Sequence, residues 1–284
     1  MATFYNQATL SYNGNTTTSN ITTGELVEVL SATKTAVQTE YQQDDTLTYV
    51  VNILNSGNTT MTGVTISDNL GAYTLNTLTL VPMDYVVGTV RYYVGGVLQP
   101  TPTVTAGPPL TISGLSVPAK GNVTVIYQAK TNDYAPLAQE SSITNTATIN
   151  ANNIANPITA SATVNAYSKP VLRISKSLTP TTVSENGQLT YTFIIQNYGN
   201  TAADEADALI VSDRFDPILN PITVAFNGTA WTEGTEYTYD ATTGQFVSTA
   251  GIITVPAASY TQDAATGAIS IVPGSATLTI TGTV

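Results

Sequence analysis

Six residues of this sequence have the types and placement for covalent chemistry: Lys34, Asp68 and Asn145, and Lys176, Asp213 and Asn6. Lys34 keeps strand parity with Leu30 and Ala32, and Lys176 with Leu172 and Ile174. Asp68 keeps it with Val64 and Ile66, and Asp213 with Leu209 and Val211. If the apolar members point inward, each of two sandwiches buries one Lys and one Asp, and charged side chains are almost never buried without a partner. A buried amine is pushed towards its neutral, nucleophilic form and a buried carboxyl towards its protonated form. The neutral acid can then hydrogen-bond an Asn side-chain carbonyl, polarise it and shuttle protons as ammonia leaves, joining Lys to Asn by an isopeptide bond. On this chemistry Asp68 and Asp213 are the catalytic carboxyls, and the cross-links join Lys34 to Asn145 and Lys176 to Asn6. The same residues also suit a plain buried Lys–Asp ion pair beside a satisfied Asn, which would define the core without a bond.

The strands that carry the two Asn residues are versions of each other. In Ile143-Thr-Asn-Thr-Ala-Thr-Ile149 the alternate positions Ile143, Asn145, Ala147 and Ile149 form an apolar face interrupted by one Asn. Phe4, Asn6, Ala8 and Leu10 do the same at the start of the chain. This is the period-2 pattern of a half-buried strand, and Asn is costly there unless its amide is used.

The rest of the chain is also duplicated. Leu47-Thr-Tyr-Val-Val-Asn-Ile-Leu-Asn-Ser-Gly-Asn-Thr59 matches Leu189-Thr-Tyr-Thr-Phe-Ile-Ile-Gln-Asn-Tyr-Gly-Asn-Thr201 without gaps, at an offset of 142 residues that also relates Lys34 to Lys176. Val64-Thr-Ile-Ser-Asp68 matches Leu209-Ile-Val-Ser-Asp213 at an offset of 145, which places a three-residue insertion around Asp204–Asp207. Each copy reads as short strands between turn signals, an antiparallel β-sandwich. The expected organisation is a donor strand and linker at 1–24, a first sandwich at 25–166 and a second at 167–284. In the second sandwich the counterpart of the Asn145 strand is missing, while a surplus copy sits at residues 4–12: Asn6 precedes Lys34 by 28 positions, as Asn145 precedes Lys176 by 31. A sandwich without its closing strand leaves an apolar groove flanked by unpaired backbone, which the N-terminal strand of another copy can fill by donor-strand addition. Such a head-to-tail contact generates an open filament, so the expected partner is a second copy of this chain. The competing possibility is that residues 1–24 fold back on their own chain or are disordered.

Composition narrows the function classes. The chain of 284 residues has no Cys and no His, which excludes disulfides, Ser-His-Asp and Cys-His catalysis and the commonest metal ligand. Nineteen acidic against eight basic residues give a net charge of −11, which argues against nucleic acid or an anionic membrane as partner. No apolar run reaches membrane-spanning length, and the N-terminus lacks a secretory signal pattern, so assembly without the general export route is expected. No cofactor, no metal and no turnover of exogenous substrates are expected; the acidic stretch Asp204–Asp207 lacks defined Ca²⁺-ligand spacing. A binding module acting through its loops is the alternative to a fibre subunit, with Trp231, Tyr237 and Tyr239 as a stacking surface for an adhesin or carbohydrate-binding role.

The pattern Lys34-Thr, Leu47-Thr-Tyr, Asn55-Ser-Gly-Asn, Val64-Thr-Ile-Ser-Asp68 and Asn145-Thr-Ala-Thr-Ile149 resembles the bacterial surface repeat known as domain of unknown function 11. The second copy resembles it over Lys176 to Asp213 and departs from it in lacking the Asn-Thr-Ala-Thr strand. The resemblance implies immunoglobulin-like sandwiches in cell-surface stalks, with related pilin folds carrying Lys–Asn bonds beside an acidic catalyst. A two-repeat chain without Cys or signal also looks like the fibre-forming subunits of clostridial spore appendages. What that implies is display on the cell or spore surface, with tip or anchor proteins unknown.

Overall fold

The computed structural model describes residues 2–26, 29–152, 154 and 156–284. Met1 and residues 27–28, beside the expected start of the first sandwich, lie outside the described residues. Apart from one 3-10 turn at Glu205–Asp207, the described elements are all strands, as the Thr-, Val- and Tyr-rich alternation requires.

The first four strands, β1 (Ala2–Asn6), β2 (Thr9–Tyr12), β3 (Asn15–Thr18) and β4 (Thr22–Leu26), form one antiparallel hairpin: β1 pairs with β4 and β2 with β3. Its turn, Asn13-Gly14, has φ of 45° and 79°, the left-handed pair of a type I′ turn that Asn-Gly favours. The expectation of one continuous donor strand over residues 4–12 is thereby corrected. The strand is interrupted at Gln7–Ala8, and its backbone is already paired to residues 15–26 of its own chain.

The first sandwich is built from β5 (Leu30–Ala36), β6 (Glu40–Tyr41), β7 (Thr46–Asn55), β8 (Met61–Asp68), β9 (Leu110–Val117), β10 (Asn122–Thr131), β11 (Ser142–Asn150) and β12 (Ile158–Ala166). One sheet places β10, β7 and β5 side by side; the other runs β9, β8, β11, β12, β6. Inward positions of both sheets are almost fully buried, including Tyr49, Val51, Ile53, Ile66, Tyr127 and Ile149.

The second sandwich uses β13 (Leu172–Thr179), β14 (Gln188–Asn197), β15 (Ser212–Arg214), β16 (Ile222–Phe226), β17 (Tyr237–Asp240), β18 (Gln245–Ser248), β19 (Ser259–Gln262), β20 (Ile269–Val272) and β21 (Gly274–Thr283). One sheet orders β13, β14, β21, β16; the facing sheet has only β15, β18 and β17. The repeat is exact in register where it matters: Lys34 is opposite Val51 and Lys176 opposite Phe193, each 142 residues on. It extends to the loop Asn-x-Gly-Asn-Thr, where buried Asn55 and Asn197 each accept from the Gly two residues on and donate to the Thr four residues on. The hairpin β19–β20 is an addition to the second copy. It reaches back to the first sandwich, packing Tyr260 and Ile271 against that core and donating from the Ile269 amide to the Asp133 carbonyl at 2.8 Å.

Candidate functional site: a Lys–Asp–Asn cluster and its open counterpart

In the first sandwich Lys34 and Asp68 are in direct contact, and Asn145 is linked to Asp68 through Tyr127. Lys34 comes from the edge strand β5 of one sheet, while Asp68 on β8 and Asn145 on β11 face it from the other. The β8–β11 register sets Asp68 opposite Ala147, so Asn145 lies two residues along the same inward face. All three are buried, with Asp68 and Asn145 at 0% exposure. Lys34 Nζ sits 2.5 Å from Asp68 Oδ2, and the other carboxylate oxygen accepts the Leu70 amide at 3.0 Å.

Three further residues complete the cluster, and parity reasoning did not find them. Tyr127 on β10 donates its hydroxyl to Asp68 Oδ2 at 2.5 Å and accepts from Asn145 Nδ2 at 3.3 Å, linking acid and amide. Tyr49, stacked on Tyr127 at 5.6 Å between centroids, places its ring 4.8 Å from the Lys34 ammonium. Gly71 donates its backbone amide to Asn145 Oδ1 at 3.2 Å. Its φ of +76° suits Gly, and a Cβ there would lie 2.4 Å from Ile143 Cγ2. Inward parity of Tyr49 with Leu47 and Val51 was available as a signal; the Gly71 contact depends on the chain reversal after Asp68 and has no local sequence signature.

Burial pulls the Lys34 amine down to about 8, against the opposing pull of the Asp68 charge and hydrogen bond. Burial raises the Tyr49 and Tyr127 hydroxyls, and the Asp68 charge adds to this, so both remain protonated donors. The arrangement thus pairs an amine eased towards its neutral form with a carboxyl in direct contact. The carbonyl oxygen of the Asn145 amide is held by a fixed N–H, the kind of donor that stabilises a developing oxyanion.

The second sandwich holds the same Lys and Asp in an open setting. Lys176 Nζ is ion-paired with Asp213 Oδ2, with side-chain exposures of 38% and 19%; the expectation that this pair is buried like the first is corrected. Tyr191, Phe193 and Phe215 surround the ammonium at 4.3 to 5.4 Å. The reason for the exposure is topological. In the first sandwich β11 and β12 cover β8 and β5; among the described residues nothing covers the corresponding edge of β15 or the face of β13. A groove lined by Ile174, Lys176, Phe193, Ile210, Val211 and Asp213 remains. It continues over Leu172, Leu209 and Ile253. The run Leu209–Val211 forms no ladder and only Ser212–Arg214 counts as strand, because its ladder partner on that side is missing. One feature of the cluster is not duplicated: Tyr127 pairs with Tyr49, whereas Ile280 pairs with the equivalent Tyr191, so among the described residues no hydroxyl bridges Asp213.

Asn6 stands apart, on the exposed hairpin with Phe4 at 57% and Leu10 at 62% exposure. The other sequence candidates have structural roles. Trp231 stacks on Phe226 at 5.3 Å, Tyr237 is buried, and Tyr239 exchanges hydrogen bonds with the Leu219 backbone. Asp204 and Asp207 cap their own 3-10 turn reciprocally.

No family model and no curated protein matches the chain. Among solved structures it is similar to the pilus backbone from Streptococcus pneumoniae, at 14% identity and a TM-score of 0.36 over 86% of this chain and 55% of that one. The chain therefore spans about half the length of that structure. It is also similar to the major pilin subunit of Bacillus cereus, at 12% identity and a TM-score of 0.37 over 96% of this chain and 73% of that one. A third likeness is to the collagen-binding domain from a Staphylococcus aureus adhesin, at 14% identity and a TM-score of 0.31, covering 50% of this chain and 99% of that one.

Proposed function

We propose that this protein is the structural subunit of a pilus-like surface fibre, polymerised head to tail. The N-terminal strand of one copy fills the open edge of the second sandwich of the next, and Lys–Asn isopeptide bonds lock the polymer. The observation that carries the proposal is the groove beside β13 and β15, floored by the Lys176–Asp213 pair. The same place in the first sandwich is filled by the Asn145 strand. Phe4, Asn6, Ala8 and Leu10 repeat the residue pattern of that filling strand and are exposed. Within the first sandwich, Lys34 attacks the Asn145 side-chain carbon as Asp68 takes and returns protons; a C–N bond forms, the C–Nδ2 bond breaks and ammonia leaves. Between copies, Asn6 stands in for Asn145, with Lys176 as nucleophile and Asp213 as catalyst. Display of the fibre on the cell or spore surface is what the resemblance to surface repeats and spore-appendage subunits implies.

The test is a comparison of wild type, Asn6→Ala and a deletion of residues 2–12 by electron microscopy and denaturing gels. Wild type is expected to give fibres and boiling-resistant ladders, Asn6→Ala fibres that dissolve to monomer, and the deletion neither. Polymerisation of the deletion variant would show that the joint lies elsewhere.

A further inference from the structure

The filled edge of the first sandwich is covered by two strands, not one. β11 pairs with β8, and β12 pairs with β11 over its length and packs along β5. Among the described residues the open edge of the second sandwich has a counterpart of neither, so a single added strand would cover β15 and leave β13 bare. That strand is exposed along nearly its whole length, with Ile174 at 57%. We propose that the donor unit is the entire hairpin, residues 2–26, and that its second strand takes the place of β12 in the next copy. This rests on the head-to-tail reading above and specifies its joint.

The hairpin matches the β11–β12 unit in pairing, face and connection. Asn145 is opposite Ala162 and Ile143 opposite Val164; Asn6 is opposite Thr22 and Phe4 opposite Gly24. The large Phe4 ring lies over Gly24, where an added Cβ would come within 2.3 Å of it, so a large-small pair stands where the first sandwich has two medium side chains. From Ala162 the chain reaches Lys176 in 14 residues, and from Thr22 it reaches Lys34 in 12. The second hairpin strand thus leads into β5 of its own molecule as β12 leads into β13, by a path two residues shorter. The hairpin departs from β11–β12 in a one-residue register shift between the Asn6–Thr22 and Thr9–Thr18 pairs. Charge also favours this segment as the contact: Glu25 is the single Asp, Glu, Lys or Arg in residues 2–26, in a chain of net charge −11 whose copies otherwise repel. An isolated exposed hairpin is marginal in water, and covering it removes Phe4, Leu10 and Ile21 from solvent together.

The absence of Cys allows a direct test. Tyr5 and Thr23 are directly opposite on the face away from Asn6, and a disulfide in Tyr5→Cys/Thr23→Cys holds the two strands together without entering the groove. If the hairpin enters whole, oxidised and reduced forms should polymerise at the same rate. Loss of polymerisation on oxidation alone would overturn the hairpin donor and leave single-strand donation standing. Failure of wild type to polymerise would instead remove the head-to-tail reading itself. Amide exchange on wild-type fibres decides independently, including where the double variant is inactive in both states. Residues 15–24 should slow on the order of a hundredfold or more on assembly, and unchanged fast exchange there would overturn the proposal.

Discussion

At the residue scale the cluster around Asp68 is a concentration of charge and polarity that a core tolerates only when every group is partnered, and here every one is. Ammonia loss is the first expected outcome: intact mass of monomeric protein should be one ammonia short, and Asp68→Ala should restore it. A bond from Lys34 to Asn145 closes a loop of about 110 residues. By the chain-entropy treatment of disulfides such a closure stabilises by about 4–5 kcal/mol. The hydroxyl of Tyr127 gives the second outcome. Tyr127→Phe should keep the fold and slow bond formation on the order of a hundredfold, read by mass after refolding from an unreacted, denatured chain.

The pH dependence follows from the direction of the Lys34 shift. Its amine loses its proton near pH 8 instead of its ordinary 10.5. Below that pH most of the amine carries its proton and has no lone pair with which to attack; above it most is the free nucleophile. Bond formation should therefore rise roughly tenfold per unit up to about pH 8 and level off beyond. A rate already level below pH 8 would mean that release of the Lys34 proton does not limit the step.

At the scale of elements, the described residues of the second sandwich include no counterpart of the β11–β12 pair, and the exposures of the Lys side chains follow from it: 0% for Lys34, 38% for Lys176. Burying Phe4, Ala8 and Leu10 in the second groove removes about 300 Å² of apolar surface, roughly 7 kcal/mol before association costs. Because Ile280 replaces the bridging Tyr127, the inter-subunit bond should form more slowly than the internal one. A time course should show fibres that are first detergent-soluble and later resistant, and Ile280→Tyr is expected to shorten that lag.

At the scale of the whole molecule, the β19–β20 hairpin ties the second sandwich to the first. The Gln262 side chain donates to the Tyr73 hydroxyl at 2.7 Å, and Gly267 lies so close to Leu80 that a Cβ would approach it to 2.5 Å. Gly267→Val should prise this contact open. In calorimetry of a cross-link-deficient Asp68→Ala background, a single transition is expected to split into two; one unchanged transition would show that the hairpin does not couple the sandwiches.

Much of this was legible in the sequence because period-2 alternation and a gap-free duplication are local properties. They identify strands, inward faces and equivalent residues such as Lys34 and Lys176 without any knowledge of packing. They also exposed the surplus copy of the Asn145 strand, since that comparison needs only spacing. What alternation cannot show is which strands lie across from one another. The meeting of Lys34 with Asp68 depends on two sheets facing, the placement of Asn145 by Tyr127 and Gly71 on contacts 18 and 74 residues from it along the chain, and the clasp of β19–β20 on an insertion with no repeat partner. The pairing of β1 with β4 was likewise decided by the fold. A strand with unpaired backbone takes the nearest partner it has, and the Asn13-Gly14 turn puts residues 15–26 within reach. Residue types and parity thus determined which chemistry is available, and only tertiary structure decided that one Lys–Asp pair is enclosed and the other left open.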